Sequence, residues 1–306
     1  MLKAIKKKYG LYWQLYLFLL IPVVYIIIFQ YVPMLGAQIA FRRFTIRGGM
    51  WGSEWVGFAN FTRFFNSFWF VRVVTNTLRI SVYELIAGFP IPIIFALCLN
   101  TIGNLRYKKA LQTITYMPHF ISTVVVVGII MQFFHPIVGV YGVTFRAFTG
   151  TQARDIFANP DAFPHIFVWS GIWQGFGWGS IIYVASLTSV PEELYEASRV
   201  DGASRLKQII HIDIPALTPT IVILLILNLG SIMSVGFEKA FLLQNNLNLR
   251  TSELISTFVY KQGLAAAGPT DFSYATAIGL FNSVINLFLI ITVNKISRKL
   301  SETSLW

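Results

Sequence analysis

The reactive side chains of this chain are not spaced for covalent or metal chemistry. His119, His135, His165 and His211 lie far apart, with no His/Cys cluster at metal-ligand spacing. No nucleophile–base arrangement is visible, and no Gly-x-x-x-x-Gly-Lys-Ser/Thr phosphate loop occurs. Cys98 is the single cysteine, so no internal disulfide forms and the compartment is not legible from cysteine usage. What remains is recognition chemistry, carried by neutral polar and aromatic groups inside apolar runs. Asn228, Ser231, Val235 and Glu238 fall at helical spacing and share one face. Asn282 and Asn286 are four apart on a later run. Gly171, Gly175 and Gly179 recur every four residues as a close-packing face, interleaved with Trp169, Trp173, Phe176 and Trp178. Polar groups in such runs either line an internal route or hydrogen-bond a neighbouring helix. The tryptophans equally suit interface anchoring.

The elements that must hold these residues follow from composition. The chain has 306 residues, 55% hydrophobic, 16% aromatic and only 12% charged. Soluble domains carry roughly 25% charge, so a soluble enzyme, a disulfide scaffold and a disordered tail are all excluded. The net charge of +11 comes from Lys and Arg set between apolar runs, which fits a membrane protein and not a nucleic-acid binder. Six apolar runs each reach the roughly 20 residues that cross a bilayer. They cover about 9–32, 73–100, 111–134, 164–190, 216–237 and 272–294. The fold class is an all-α integral membrane protein, with residues 1–8 a cytoplasmic N-terminus and 9–306 one transmembrane domain.

Lys3 and Lys6 to Lys8 precede the first run, which is too long for a signal peptide and lacks a clean cleavage site, so an uncleaved first span is expected. With both termini cytoplasmic, thirteen Lys and Arg fall inside and ten outside, Arg79 lying in a span. The Arg-rich stretch from Arg42 to Arg72 opposes this orientation. The tight juxtamembrane clusters Lys6 to Lys8 and Arg106 to Lys109 favour it. Phe41 to Phe70, with Trp51, Trp55 and Trp69, reads as an outer segment along the membrane surface. Asn159-Pro160 and Gly268-Pro269 mark turns in later outer loops. Phe89-Pro90-Ile91-Pro92 should kink the second span. Arg79 and Glu84, five apart, cannot form an i,i+4 pair there.

The polar stretch 191–215 joins the fourth and fifth spans and reads as two short helices. Ser189 with Glu192 fits a capping box, and Pro191 suits a first turn. Small residues follow at Glu196-Ala197-Ser198, Gly202 permits a bend, and Leu206, Ile209 and Ile210 make a second amphipathic turn that Pro215 ends. Pattern alone leaves open a solvated loop with a surface helix.

The spacing Glu196-Ala197-Ser198, three residues, Gly202, nine residues, Ile212-Asp213-Ile214-Pro215 resembles the EAA loop of bacterial ABC importer permeases. That family's pattern is Glu-Ala-Ala, three, Gly, nine, Ile-x-Leu-Pro. Ser198 and Ile214 depart from it by small changes in volume. Trp55 to Phe61, with Val56-Gly57 and Asn60-Phe61, resembles an outer signature of the carbohydrate branch, followed by Asn76-Thr77-Leu78. Tyr31-Val32-Pro33-Met34, Gly36, Ala40-Phe41 and Thr115-Tyr116-Met117-Pro118-His119-Phe120 resemble the subgroup handling oligosaccharides and polysaccharide fragments.

The resemblance implies the type I ABC importer permease fold, with the loop docking as a coupling helix on a cytoplasmic ATPase. Glu196, Ala197, Ser198, Asp201, Gly202 and Ala203 match the contact region, and Ile212 and Pro215 the anchor, for which simple helix termination is an equal reading. It implies a substrate pathway including Asn228, Ser231, Gly175 and Trp178, to which Asn282 is added on its spacing with Asn286, a pair that equally suits contact with a neighbouring helix. It further implies a second homologous permease, two ATPase subunits, an external binding protein or lipoprotein, lipid contact, and a bacterial cytoplasmic (inner) membrane setting. ATP and Mg would sit on the ATPase, with no cofactor on this chain and no enzyme activity of its own. Alternatives are an ABC permease for another small solute, or an ion-coupled secondary transporter, for which Glu84 alone gives thin support.

Overall fold

A computed structural model of the chain describes residues 12–265 and 270–300, the side chains of Lys299 and Leu300 excepted. The lysines before the first span, that span's first residues, the turn at Gly268-Pro269 and the last six residues lie outside the described residues.

The chain divides into two compact units, Met1–Asn66 with Val259–Leu280, and Ser67–Phe258 with Phe281–Trp306. In the first, α1 (Trp13–Phe41) is longer than the first apolar run. It contains a π turn at Ile27–Tyr31 directly before Val32 and Pro33. Strands β1 (Arg42–Arg43) and β2 (Glu54–Trp55) then pair antiparallel, and α2 (Ala59–Phe65) follows. The outer signature closes this hairpin from inside: Asn60 Nδ2 donates to the Ala40 and Arg42 carbonyls at 2.8 and 3.2 Å. Phe41 stacks on Trp55 with centroids 5.6 Å apart. Arg63 pairs with Asp271 and lies over the Tyr274 ring.

The second unit begins with α3 (Phe68–Gly88), capped by the Ser67 side chain, and α4 (Pro90–Thr101). The expected kink between them is mild in its local geometry. Phe89 keeps helical angles of −63° and −41°, its N–H reaches the Leu85 carbonyl, and Phe68–Thr101 reads as one span. The third run is different. Instead of one helix over 111–134 there are α5 (Leu105–Tyr116) and α6 (Thr123–Phe133), bent by 99°. A 3₁₀ turn at Met117–Phe120, the extended Ile121 and the capping Ser122 account for the break. Then come α7 (Val140–Thr149), α8 (Phe163–Thr188) and α9 (Glu192–Val200). They are followed by α10 (Arg205–Gly230) and α11 (Phe237–Leu243). The last described helices are α12 (Ile255–Gly263) and α13 (Phe272–Leu300), of which the stretch Val259–Leu280 belongs to the first unit.

Two sequence expectations about the fifth span fail. Pro215 does not end a helix, because α10 runs from Arg205 to Gly230 through a π turn at Ile209–Asp213. The wide turn lets the Ile214 N–H reach the Ile209 carbonyl just before the proline, which has no N–H to offer. The π turn before Pro33 makes the same bond, Val32 N–H to Ile27. At the other end α10 stops at Gly230, so Ser231, Val235 and Glu238 do not continue the face that begins at Asn228. Instead Asn286 of α13 clips the turn, accepting from the Met233 N–H at 3.1 Å and donating to Ser234 Oγ at 2.9 Å.

Among the described residues four helices are long and apolar enough to cross a membrane, Trp13–Phe41, Phe68–Thr101, Arg205–Gly230 and Phe272–Arg298, or five if the α5–α6 pair counts as one span. The second unit packs around Ile80, Val127, Phe167, Val168, Leu243 and Leu254. A separate cluster of Ala96, Leu97, Tyr183, Leu187 and Leu217 joins α4, α8 and α10. Asn76 and Thr77 are buried anchors: Asn76 Nδ2 donates to the Arg250 and Glu253 carbonyls, and Thr77 Oγ1 accepts from the Ile255 N–H.

Candidate functional site

A cavity of about 840 Å³ opens in the second unit between α3, α4, α8 and the end of α10. Its wall contains Gly175, Trp178, Asn228 and Ser231, four residues that the sequence picks out. Trp178 is 44% exposed, so much of its ring is free. The His119 ring stacks on it, centroids 4.6 Å apart and 2° from parallel, and Phe120 meets it edge-on at 5.5 Å. The bend between α5 and α6 therefore buttresses the cavity tryptophan. Asn228 Nδ2 donates to the Leu224 carbonyl at 2.8 Å, and Ser231 Oγ donates to the Leu227 carbonyl at 3.2 Å. Asn282 is not in this wall, and its Oδ1 is buried without a hydrogen-bond partner.

The wall also contains Glu84, its one acidic residue among the described residues. Nearby, the buried Lys239 donates to the Phe167 carbonyl at 2.6 Å and lies 4.9 Å over the Phe167 ring. A Cβ placed on Gly171 would be 3.1 Å from Lys239 Nζ and 3.8 Å from Glu84 Oε1.

The three glycines spaced by four are not equivalent. A Cβ on Gly179 would touch the Pro92 ring at 3.4 Å, whereas one on Gly175 would meet nothing within 4 Å. The tight crossing is at Gly177, off that row, where a Cβ would sit 2.2 Å from the Thr115 carbonyl oxygen. Removing the side chain there is what lets α8 approach α5. The regular spacing finds two glycines with near neighbours but not the tightest one, because helix faces alone do not say which neighbour comes nearest.

In the loop that follows α8, Glu196, Ala197, Asp201 and Gly202 are exposed, while Ser198, Ala203 and Ile212 are half-buried and Pro215 is exposed. The expected capping box is absent. Ser189 still belongs to the end of α8, donating to the Ser186 carbonyl at 2.7 Å, and α9 starts behind Pro191 with no side-chain cap. The other end is closed firmly. Gly202 has φ of +70°, its N–H bonds the Arg199 carbonyl, and the Ala203 N–H bonds the Ser198 carbonyl. That pair of bonds is a Schellman closure, and it explains why a glycine stands four places after Ser198. Ser204 then caps α10.

Behind the exposed residues lies a polar network that the motif reading missed. Tyr195 donates its hydroxyl to Asp213 Oδ1, and Asn100 Nδ2 donates to the same oxygen at 3.2 Å and to the Tyr195 hydroxyl at 3.3 Å. Gln208 Nε2 donates to Ser198 Oγ at 2.8 Å, and Ser198 Oγ donates to the Tyr195 carbonyl. Asp213 and Gln208 are buried. Burial, then the bond to the Asp213 carboxylate, pushes the Tyr195 phenol up to about 12, so it stays a donor at neutral pH. The available signal was Asp213 itself, an acid flanked by Ile212 and Ile214 at the start of an apolar run.

Residues 88–302, which include this loop and most of the cavity wall, match the family model described as "Binding-protein-dependent transport system inner membrane component". Protein LplB of Bacillus subtilis (strain 168) is 40% identical over 292 residues, covering 95% of this chain and 91% of LplB. The polygalacturonan/rhamnogalacturonan transport system permease protein YteP of the same organism is 37% identical, covering 100% of this chain and 92% of YteP. A chain from the crystal structure of a bacterial ABC transporter involved in the import of the acidic polysaccharide alginate superposes with a TM-score of 0.88 at 37% identity, over 97% of this chain and 99% of that one. The chain is thus a member of the binding-protein-dependent transport system inner membrane component family, a transport permease.

Proposed function

We propose that this chain is the permease subunit of an ATP-driven importer that moves an oligosaccharide or polysaccharide fragment from an extracellular binding protein to the cytoplasm by alternating access. The observation that carries this reading is the convergence of Trp178, Asn228 and Ser231 on one cavity. An aromatic face with neutral hydrogen-bonding groups suits a sugar ring better than a wholly apolar solute. The relatives support it: YteP is named for polygalacturonan and rhamnogalacturonan transport. A neighbouring structure holds the alginate transporter with its alginate pentasaccharide-bound periplasmic protein.

In this reading the chain crosses the cytoplasmic membrane six times with both termini inside. Phe163–Thr188 and the bent α5–α6 pair serve as spans beside the four more apolar ones. It pairs with a second, homologous permease and two ATPase subunits, on which ATP and Mg are bound. Glu196, Ala197, Ser198, Asp201, Gly202 and Ala203 form the docking face for the ATPase, with Ile212 and Pro215 as its anchor. Asn282, away from the cavity wall, has the weakest claim among the pathway residues.

Reconstitution in liposomes with the partner permease, the ATPase and the binding protein tests the proposal. Uptake of oligosaccharide that requires both ATP and the binding protein is expected. Uptake driven by an ion gradient alone would replace this reading with a secondary transporter.

A further inference from the structure

Two helices of the second unit connect the loop to the cavity. Helix α4 contributes Pro92 to the cavity wall and, eight residues or about 12 Å further on, Asn100 to the polar network. Helix α10 carries Asp213 in the network and Asn228 in the wall, about 22 Å apart along the helix. Tyr195 belongs to α9, and its hydroxyl meets both other helices, while Ser198 of α9 also accepts from Gln208 of α10. Between the two levels, Ala96, Leu97, Leu187 and Leu217 pack α4, α8 and α10 together, and Ser186 of α8 hydrogen-bonds Thr220 of α10 at 2.9 Å.

The bonding is economical. Asp213 Oδ1 accepts from two donors on two different helices, so losing either leaves the other in place and losing the carboxylate loses both. The π turn at Ile209–Asp213 puts the carboxylate at the point where α10 is widened. A buried carboxylate held by two neutral donors fixes a relative geometry of helices that an apolar side chain of similar size does not.

We infer that Asn100, Tyr195 and Asp213 are positioning residues that lock α9 to α4 and α10, so that displacement of α9 is delivered to the cavity wall. The inference rests on the importer reading above. Docking residues on the outer face of α9 receive the force, and this inner cluster passes it on. Loosening the cluster uncouples nucleotide hydrolysis from transport without removing the docking face.

The test is the ratio of sugar imported to ATP hydrolysed by the reconstituted complex. A purely stabilising cluster would lower the amount of complex and leave that ratio alone. Tyr195→Phe removes one hydroxyl and is expected to lower the ratio about fivefold; Asn100→Ala with Tyr195→Phe lowers it further. The exchange Asn100→Asp with Asp213→Asn keeps a donor facing an acceptor and restores most of the ratio. A double variant that copurifies with the ATPase and keeps the ratio within about twofold of wild type overturns the inference. If the double variant does not assemble, an unchanged ratio in Tyr195→Phe overturns it equally. Wild-type protein that imports no sugar would remove the importer reading and this inference with it, whereas importing wild type with indifferent variants removes the inference alone.

Discussion

In the cavity wall, Gly175 and Trp178 come from one helix and Asn228 and Ser231 from another and the turn after it, some fifty residues later in the chain. In the loop after α8, Glu196, Ala197, Ser198 and Gly202 come from one short helix and the turn that ends it. The wall is an assembly of distant segments and depends on crossings such as Gly177 against Thr115. The loop is a local motif whose spacing is set by a backbone closure and whose outward residues have few partners of their own. The lesson is that the loop can be damaged in function while its fold survives, and the wall cannot be repacked without moving whole helices.

Substitutions can break or sharpen that contrast. The largest effect is expected at Gly177→Leu. Its Cβ would collide with backbone at Thr115, where overpacking costs about 3 kcal/mol or more, and loss of monodisperse protein on size-exclusion chromatography in detergent is the readout. Wild-type yield would show that the α5–α8 crossing is softer than its geometry indicates. Next comes Gly202→Asp. The left-handed position has open space around it, so the backbone penalty is about 1–2 kcal/mol. Copurification with the partner permease should persist, while ligand-stimulated ATPase activity falls about tenfold or more. Persistence of both that activity and transport would show the docking assignment to be wrong.

Trp178→Ala is expected to be milder, raising the sugar concentration for half-maximal uptake about fivefold through loss of one aromatic face. An unchanged value would remove the tryptophan from the pathway. The smallest effect is expected at Gly175→Ala, whose methyl meets nothing within 4 Å. Its yield and uptake should stay within about twofold of wild type, in contrast with its neighbour two residues on.

How far the sequence is legible depends on the range of the interaction. The apolar runs mark helices because a chain in lipid must satisfy its backbone within each segment. Among the described residues, four of the apolar stretches correspond to helices of membrane-spanning length and apolarity. The third run misleads, because hydropathy does not register the 3₁₀ turn and the capping Ser122 that bend it by 99°. Pro215 misleads in the opposite sense, since the π turn that absorbs it is a backbone adjustment with no fixed side-chain signature. Asn228 and Ser231 do reach the same cavity, although not on one continuous helical face, since the helix ends between them. The Tyr195–Asp213–Asn100 network was invisible because its members are up to 113 residues apart, and nothing local selects one polar partner over another.

The sequence by itself determined the membrane class, most of the helical segments, the exposed loop motif and its glycine turn, because burial of apolar side chains and backbone closure act within a few residues. Tertiary structure alone decided which glycine admits a neighbouring helix, which tryptophan is braced by a histidine and which buried acid gathers two donors. Those outcomes depend on distances between segments remote in sequence, and such distances are set only when the helices pack.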